Sequence, residues 1–177
     1  MTSTVFLPPA GAGASGDPPR VMALKQRVGY EAALATERSG EHVALDLKLF
    51  PVPATLRDWA LVREVDSISD TEVELSMRFT QGPGVVSVSL TVFHPQERKL
   101  VAAKLIDRAN AVTRAEVTDT RGPKELGSLS LTPGSGGTVY WIFRNVFAEV
   151  VVYRAEVDKL DVARSIQHHL EASLRPS

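Results

Sequence analysis

The segment LPPAGAGASGDPPR, residues 7–20, carries a glycine spacing that could hold a dinucleotide phosphate. Its GAGASG string matches G-x-G-x-x-G, the pattern in which glycines let backbone N–H groups approach a pyrophosphate. That chemistry requires a strand before the loop, a helix after it and an acidic residue about 20 positions further on. The only candidate strand before the loop, STVFL, ends at Pro8-Pro9. The segment DPP separates the glycine string from the predicted helix, so the helix does not follow the loop directly. We therefore predict a flexible Gly/Pro/Ala-rich tail over residues 1–19.

Acidic side chains offer a second kind of chemistry. Asp46, Asp66, Glu72 and Glu74 lie on or beside predicted strands, where they could converge like the paired carboxylates of hydrolases. The alternative is that they line solvated strand faces, which are common in antiparallel sheets. The sequence leaves both arrangements open.

Metal ligands and nucleophiles are sparse in the chain. His168 and Glu171 stand three residues apart on a predicted helix, a spacing that can share a metal, but two ligands on one turn do not make a site. The absence of cysteine excludes disulfides, thiolate nucleophiles and cysteine zinc sites. No serine lies in a G-x-S-x-G turn. We therefore predict no catalytic residue, no metal site and no cofactor.

The composition is that of an ordinary globular chain. Its 177 residues, 44% of them hydrophobic and 23% charged, predict a single domain over residues 20–177. The formal net charge of −1 gives no general attraction to nucleic acid. No apolar run reaches the roughly 20 residues of a membrane-spanning helix. The segment MTSTVFLPPA lacks the features of a signal peptide, so we expect a cytoplasmic location as written, or the cell envelope if an export signal was removed.

The hydrophobic periodicity alternates between helix and strand along the chain. Apolar spacings of three and four predict helices over 20–39, 95–112 and 157–174, the last with Asp158 as N-cap. Strands are predicted for EHVALDLKLF, WALVREV, TEVELSMRF, VVSVSLTVFH, SLSL, TVYWIF and VFAEVVVY. Short turns at TQGPG and at Arg144-Asn145, where Asn tolerates a positive φ, indicate two antiparallel hairpins. Because strands come in runs, we predict an α+β fold with a mainly antiparallel sheet of about six to seven strands packed with two to three helices.

The second hairpin carries more apolar and aromatic side chains than a sheet with one wet face requires. The candidate binding residues on it are Tyr140, Trp141, Phe147, Val151 and Tyr153. Either the first and last helices cover both sides of this hairpin, or one side is an exposed patch for a partner or a second copy. Basic residues are few around it, which disfavours nucleic acid as the partner.

The order of these segments resembles a known group of domains. The segments FPVPATLRDWALVREV, VSVSLTVFH, ELGSLSL with its LG turn, VYWIFRNVFAEVVVY and DVARSIQHHL are similar to small bacterial cell-envelope domains of the lipoprotein or sensor type, with a Mog1/PsbP-like α+β core. The resemblance spans residues 50–174 and implies a binding or accessory module without catalysis. The chain departs from that group in its helix at 20–39 and in lacking a lipidation cysteine. No functional residue carries over.

Three functions remain open from the sequence, one of them a structural subunit of a larger assembly. The first is a non-catalytic binding or protein-interaction module of a bacterial protein, with a protein partner or self-association as a homodimer. The alternative is a small enzyme or ligand-binding protein with a pocket between sheet and helices. Its residues would come from the polar strand faces, namely Asp46, Glu72, Glu74, Arg78 and His42.

Overall fold

The computed structural model describes residues 22–23, 25–26, 29–36, 40–112, 125–132 and 136–176. The elements follow in the order α1 (Tyr30–Thr36), β1 (Glu41–Val43), β2 (Ala60–Ser69), β3 (Glu72–Gln81), β4 (Gly84–Phe93), α2 (Arg98–Val112), β5 (Leu129–Leu131), β6 (Thr138–Phe143), β7 (Val146–Tyr153), α3 (Lys159–Ala172) and β8 (Leu174–Pro176). Within these ranges, three helices accompany a six-stranded antiparallel sheet and a two-stranded one, which confirms the predicted α+β class. The tail predicted over 1–19 lies outside the described residues.

The main sheet has the strand order β2-β3-β4-β7-β6-β5, and every neighbouring pair is antiparallel. Both predicted hairpins are present, as β3 with β4 and as β6 with β7. Leu75 lies opposite Leu90, and Leu90 lies opposite Ala148. Because successive side chains of a strand point to opposite faces, this register places Leu75, Leu90 and Ala148 on one side of the sheet.

The side that carries Leu75 and Leu90, which we call the α3 face, packs against α3. Helix α3 buries an apolar stripe in this core, formed by Val162, Ala163, Ile166 and Leu170. Trp141 of β6 is fully buried on this face, and its indole Nε1 donates to Gln167 Oε1 at 2.9 Å. The bond lets an aromatic ring with a polar atom enter the core without leaving that atom unpaired.

The opposite side, which we call the α2 face, is covered over only part of its area. Helix α2 and Tyr30 of α1 pack there on the last three strands of the sheet, in a cluster that includes Val101, Ala102, Leu105, Ile106, Tyr140, Ile142 and Phe147. On β2 and β3 the same face carries exposed or half-buried polar side chains, namely Glu64, Asp66, Glu72, Glu74, Ser76 and Arg78. The uncovered part of the face therefore lies on β2 and β3.

The prediction that β1 continues as a strand to residue 49 is wrong. Leu47–Leu49 instead forms a short 3₁₀ helix. The carboxylate of Asp46 accepts a hydrogen bond from the N–H of Lys48 at 3.0 Å, and this local bond replaces strand pairing. Leu49 is 77% exposed, so the alternating leucines of this segment do not share one buried side.

The turn of the second hairpin lies where the sequence predicts it, but its backbone differs from the expectation. Arg144, rather than Asn145, adopts the positive φ, at 56°. The side chain of Asn145 is buried and accepts a hydrogen bond from the N–H of Val43 at 2.7 Å. Its amide nitrogen donates to the carbonyl oxygens of Phe93 at 2.9 Å and Val43 at 3.2 Å. Asn145 thus joins the hairpin turn to β1 and to the end of β4.

Candidate functional site

Three of the five candidate binding residues of the second hairpin lie in the interior. Trp141 is fully buried on the α3 face, while Tyr140 and Phe147 are 1% and 3% exposed beneath α2. Of the two alternatives left open by the sequence, cover by helices on both faces of the hairpin applies at these three residues. Helix α2 provides the cover on one side, where the sequence pointed to the first helix. Val151 is half-buried and Tyr153 is 56% exposed, so only this end of the hairpin is open.

The polar residues considered for catalysis do not form one site. Glu72 and Glu74 lie together on the α2 face, where Lys104 of α2 is bonded to Glu72 and lies 3.8 Å from Glu74 Oε2. Arg78 is exposed on the same face of β3. The other two candidates are Asp46, which caps the 3₁₀ helix, and His42, which lies on β1 beside β8. Both belong to the segment that packs on the α3 face, so the sheet separates them from the glutamates.

An ion pair between the exposed Arg108 and the buried Glu149 fastens α2 to the sheet. Nε and Nη2 of Arg108 donate to Glu149 Oε1 at 3.0 and 2.8 Å, and Glu149 lies directly opposite Tyr140 in the β6–β7 register. Burial, and then the Glu149 carboxylate, raises the pKa of the Tyr140 phenol to about 12, although Arg108 opposes the increase. The hydrogen bond from Arg108 to Glu149 raises the pKa of the guanidinium. With its carboxylate paired in this way, Glu149 serves as a structural link.

The two edge strands of the main sheet differ sharply. At one edge, β5 has three residues, all of them buried. At the other edge, β2 has ten residues, and most of its side chains are exposed. Large apolar side chains on β2 reach solvent, with Leu61 37%, Val62 59% and Ile68 55% exposed. A strand at a sheet edge also presents unpaired N–H and C=O groups, so β2 can accept another strand.

The charges on β2 are divided between its faces. Glu64 and Asp66 are exposed on the α2 face, and Val62 lies on the same side of the strand. Within the described part of the chain, neither carboxylate forms an ion pair. Arg63 points to the other face, where its guanidinium donates to the carbonyl oxygen of Lys48 and to that of Phe50 at 2.7 Å. That arginine therefore holds the 3₁₀ segment on the sheet, and its positive charge is directed away from the two acids.

A hollow of about 600 Å³ opens on the α3 face next to β2. Its lining consists of Leu45, Asp46, Leu47, Lys48, Val65, Val73 and Val92. Four of the apolar members, Leu45, Val65, Val73 and Val92, are only partly buried and pack against the edge of the main core. The hollow thus places an accessible apolar surface beside the exposed strand.

The sequence reasoning missed the β2 residues, although one signal was present. The segment WALVREV alternates less regularly than the hairpin strands and is followed by further acids, and charges along a strand are typical of an exposed edge. The described residues contain no group of three potential metal ligands. They also contain no helix long and apolar enough to cross a membrane.

Comparison with family models, with curated proteins and with solved structures finds no match to the chain. The resemblance to cell-envelope domains with a Mog1/PsbP-like core therefore stays a prediction, and the site has to be interpreted from its own geometry.

Proposed function

We propose that the protein is a non-catalytic protein-interaction module that binds an extended segment of a partner along β2. The observation that carries this proposal is the exposure of most side chains of the ten-residue edge strand, including Val62 at 59% and Ile68 at 55%. Strand addition of this kind gains affinity from main-chain hydrogen bonds and specificity from alternate side chains. The short, buried β5 offers no comparable opportunity at the other edge.

The proposal is also supported by how the rest of the molecule is arranged. The apolar hairpin that could have formed a binding patch is buried within the domain. The paired charges at Lys104 and at Glu149 fasten α2 to the sheet. Solvent-exposed apolar side chains on an edge strand are a liability in a soluble domain unless something covers them. A partner segment on β2 would cover Val62 and Ile68.

Selection from a displayed library of random extended peptides tests this function. We expect peptides that bind the wild-type protein and lose most of their affinity to the variant Val62→Lys with Ile68→Lys. Leu100→Lys is the matched control, because Leu100 is an equally large apolar residue, 37% exposed, on α2. Circular dichroism and melting curves confirm that all three proteins are folded. Selected peptides that bind the edge variant as tightly as wild type, or a library that yields no binder, would refute the proposal.

A further inference from the structure

We infer that the segment bound along β2 carries basic side chains at two alternate positions and an apolar side chain between them. This inference rests on the proposed function and adds the chemistry of the partner. A strand added to β2 would place its side chains alternately on the two faces of the sheet. Each face of β2 therefore specifies one half of the pattern.

The α2 face specifies the charges. Glu64 and Asp66 are exposed there, two residues apart, and neither is paired with a described residue. Side chains directly opposite each other on neighbouring strands interact, and opposite charges at such positions stabilise the pairing. Lys or Arg opposite Glu64 and opposite Asp66 would supply the missing partners. Val62, on the same face, would pack against the stem of the basic side chain opposite Glu64.

The neighbouring strand reinforces this preference. Glu72 and Glu74 lie on the same face of β3, and Asp66 pairs directly with Glu74 in the register. Lys104 is committed to these two glutamates. Arg78 is the remaining cation of this strand face and lies opposite Val62, toward the other end of β2. The middle of the exposed edge is therefore acidic.

The α3 face specifies the residue between the two basic positions. That residue would lie beside Val65, whose side chain lines the hollow of about 600 Å³. Leu45, Leu47, Val73 and Val92 make the hollow largely apolar, with room for a large side chain such as Leu or Phe. One stretch of β2 thus distinguishes the partner's alternate side chains by charge on one face and by hydrophobicity on the other.

A second copy of this chain paired about the middle of this edge fits poorly. A two-fold axis normal to the sheet keeps each face on its own side, so residues of like face oppose each other. Centring the axis on Glu64 or Asp66 places that acid opposite its own copy, and centring it on Val65 places Glu64 opposite Asp66. Like charges directly opposite each other destabilise strand pairing. A basic partner segment removes this repulsion.

Binding of matched synthetic peptides tests the inference. The probes are labelled peptides with the core Thr-Lys-Leu-Lys-Thr, its Gln counterpart Thr-Gln-Leu-Gln-Thr and its Glu counterpart Thr-Glu-Leu-Glu-Thr. We expect the Lys peptide to bind about tenfold more tightly than the Gln peptide, because two cross-strand ion pairs contribute energies of this order. The advantage should shrink at high salt. Glu64→Lys with Asp66→Lys should reverse the preference toward the Glu peptide, while the exposed Glu156→Lys should leave it unchanged.

The outcomes separate this inference from the proposed function. Equal affinity for the Lys and Gln peptides, with both lost in Val62→Lys with Ile68→Lys, would leave strand addition intact and overturn the charge preference. Replacing the central Leu of the Lys peptide by Ser should weaken binding several-fold, and an unchanged affinity would overturn the role of the hollow. If no peptide responds to the edge variant, strand addition itself is wrong.

Discussion

The side-chain amide of Asn145 is hydrogen-bonded to both backbone groups of Val43, a residue 102 positions earlier in the chain. The same amide nitrogen donates to Phe93, so one buried side chain connects β1, the end of β4 and the second hairpin. Each of these backbone groups would otherwise lie in the interior without a partner, and unpaired buried polar groups are costly.

Asn145→Ala should therefore lower the free energy of unfolding by about 2–4 kcal/mol, because the truncation leaves buried backbone groups unsatisfied. Urea denaturation followed by fluorescence measures the loss. A decrease below about 0.5 kcal/mol, the range of ordinary surface substitutions, would mean that the amide does not hold β1 in place.

A glycine contact before β5 gives a second prediction. Gly127 has a φ of 61°, and an added Cβ would overlap the carbonyl oxygen of Ile142. Gly127→Ala should cost several kcal/mol, on the order of 2–4, because the backbone must shift at a left-handed position. Gly40→Ala is the control, since nothing lies within 4 Å of the Cβ position there. Similar melting temperatures for the two variants would contradict the close approach of Gly127 to Ile142.

Substitutions at the adjacent residues Ser89 and Leu90 test which face of β4 is buried against α3. Leu90 is fully buried on the α3 face, and Leu90→Ala should destabilise the protein by about 2–5 kcal/mol. Ser89 is half-buried on the other face, where its hydroxyl donates to Glu74 Oε1 at 3.0 Å. Ser89→Ala should cost about 1 kcal/mol or less. If thermal unfolding ranked Ser89→Ala as the more damaging change, the assignment of faces would be reversed.

The buried phenol of Tyr140 predicts a stability that falls at alkaline pH. Its pKa rises from 10.0 to about 12 in the folded state, so folding favours the protonated form. The stabilisation is complete below pH 10 and is lost as pH rises from 10 to 12, by about 2–3 kcal/mol. Denaturation at a series of pH values should show a steeper decline for wild type than for Tyr140→Phe. Parallel curves would show that Tyr140 titrates as an exposed tyrosine does.

Strand β7 of the second hairpin carries a buried residue, Phe147, and a half-buried one, Val151, on the same side. Phe147 is 3% exposed beneath α2, and Phe147→Asp should prevent folding, because it buries an unpaired charge. Val151, on the same side but half-buried, should tolerate Asp with a loss of about 1 kcal/mol. Soluble yield and circular dichroism measure both. A folded Phe147→Asp protein would restore the hypothesis that this side of the hairpin is a binding surface.

Much of the fold could be predicted from local patterns. The alternation of apolar and polar residues in β3, β4 and β7 predicted the hairpins and the buried side of each strand. It does so because apolar side chains recur every two residues in a strand with one buried face. The closing helix was predicted together with its cap, and Asp158 accepts a hydrogen bond from the N–H of Leu160 as expected. These features depend on residues close together in sequence.

The features that the sequence concealed depend on distant partners. Strand β8 exists because it pairs with β1, and three residues at Leu174–Pro176 carry no pattern of their own. The hydrogen bonds of Asn145 to Val43 cannot be inferred from a turn position. Tyr140 and Trp141 are buried because helices pack on both faces of the hairpin. The sequence could not predict this, because an apolar strand has the same residue pattern whether a helix or a partner protein covers it.

The pairing of β1 with β8 also determines how the domain responds to tension. Glu41 lies opposite Pro176, so these two residues lie at the same end of a short antiparallel ribbon. A force that pulls Glu41 and Pro176 apart would load the ribbon's hydrogen bonds one pair at a time, because both residues lie at the same end of the ribbon. The ribbon would open first, the Val43–Asn145 bonds next, and the six-stranded sheet would carry load only after both. The domain is therefore mechanically soft along the line between Glu41 and Pro176, whatever its thermal stability.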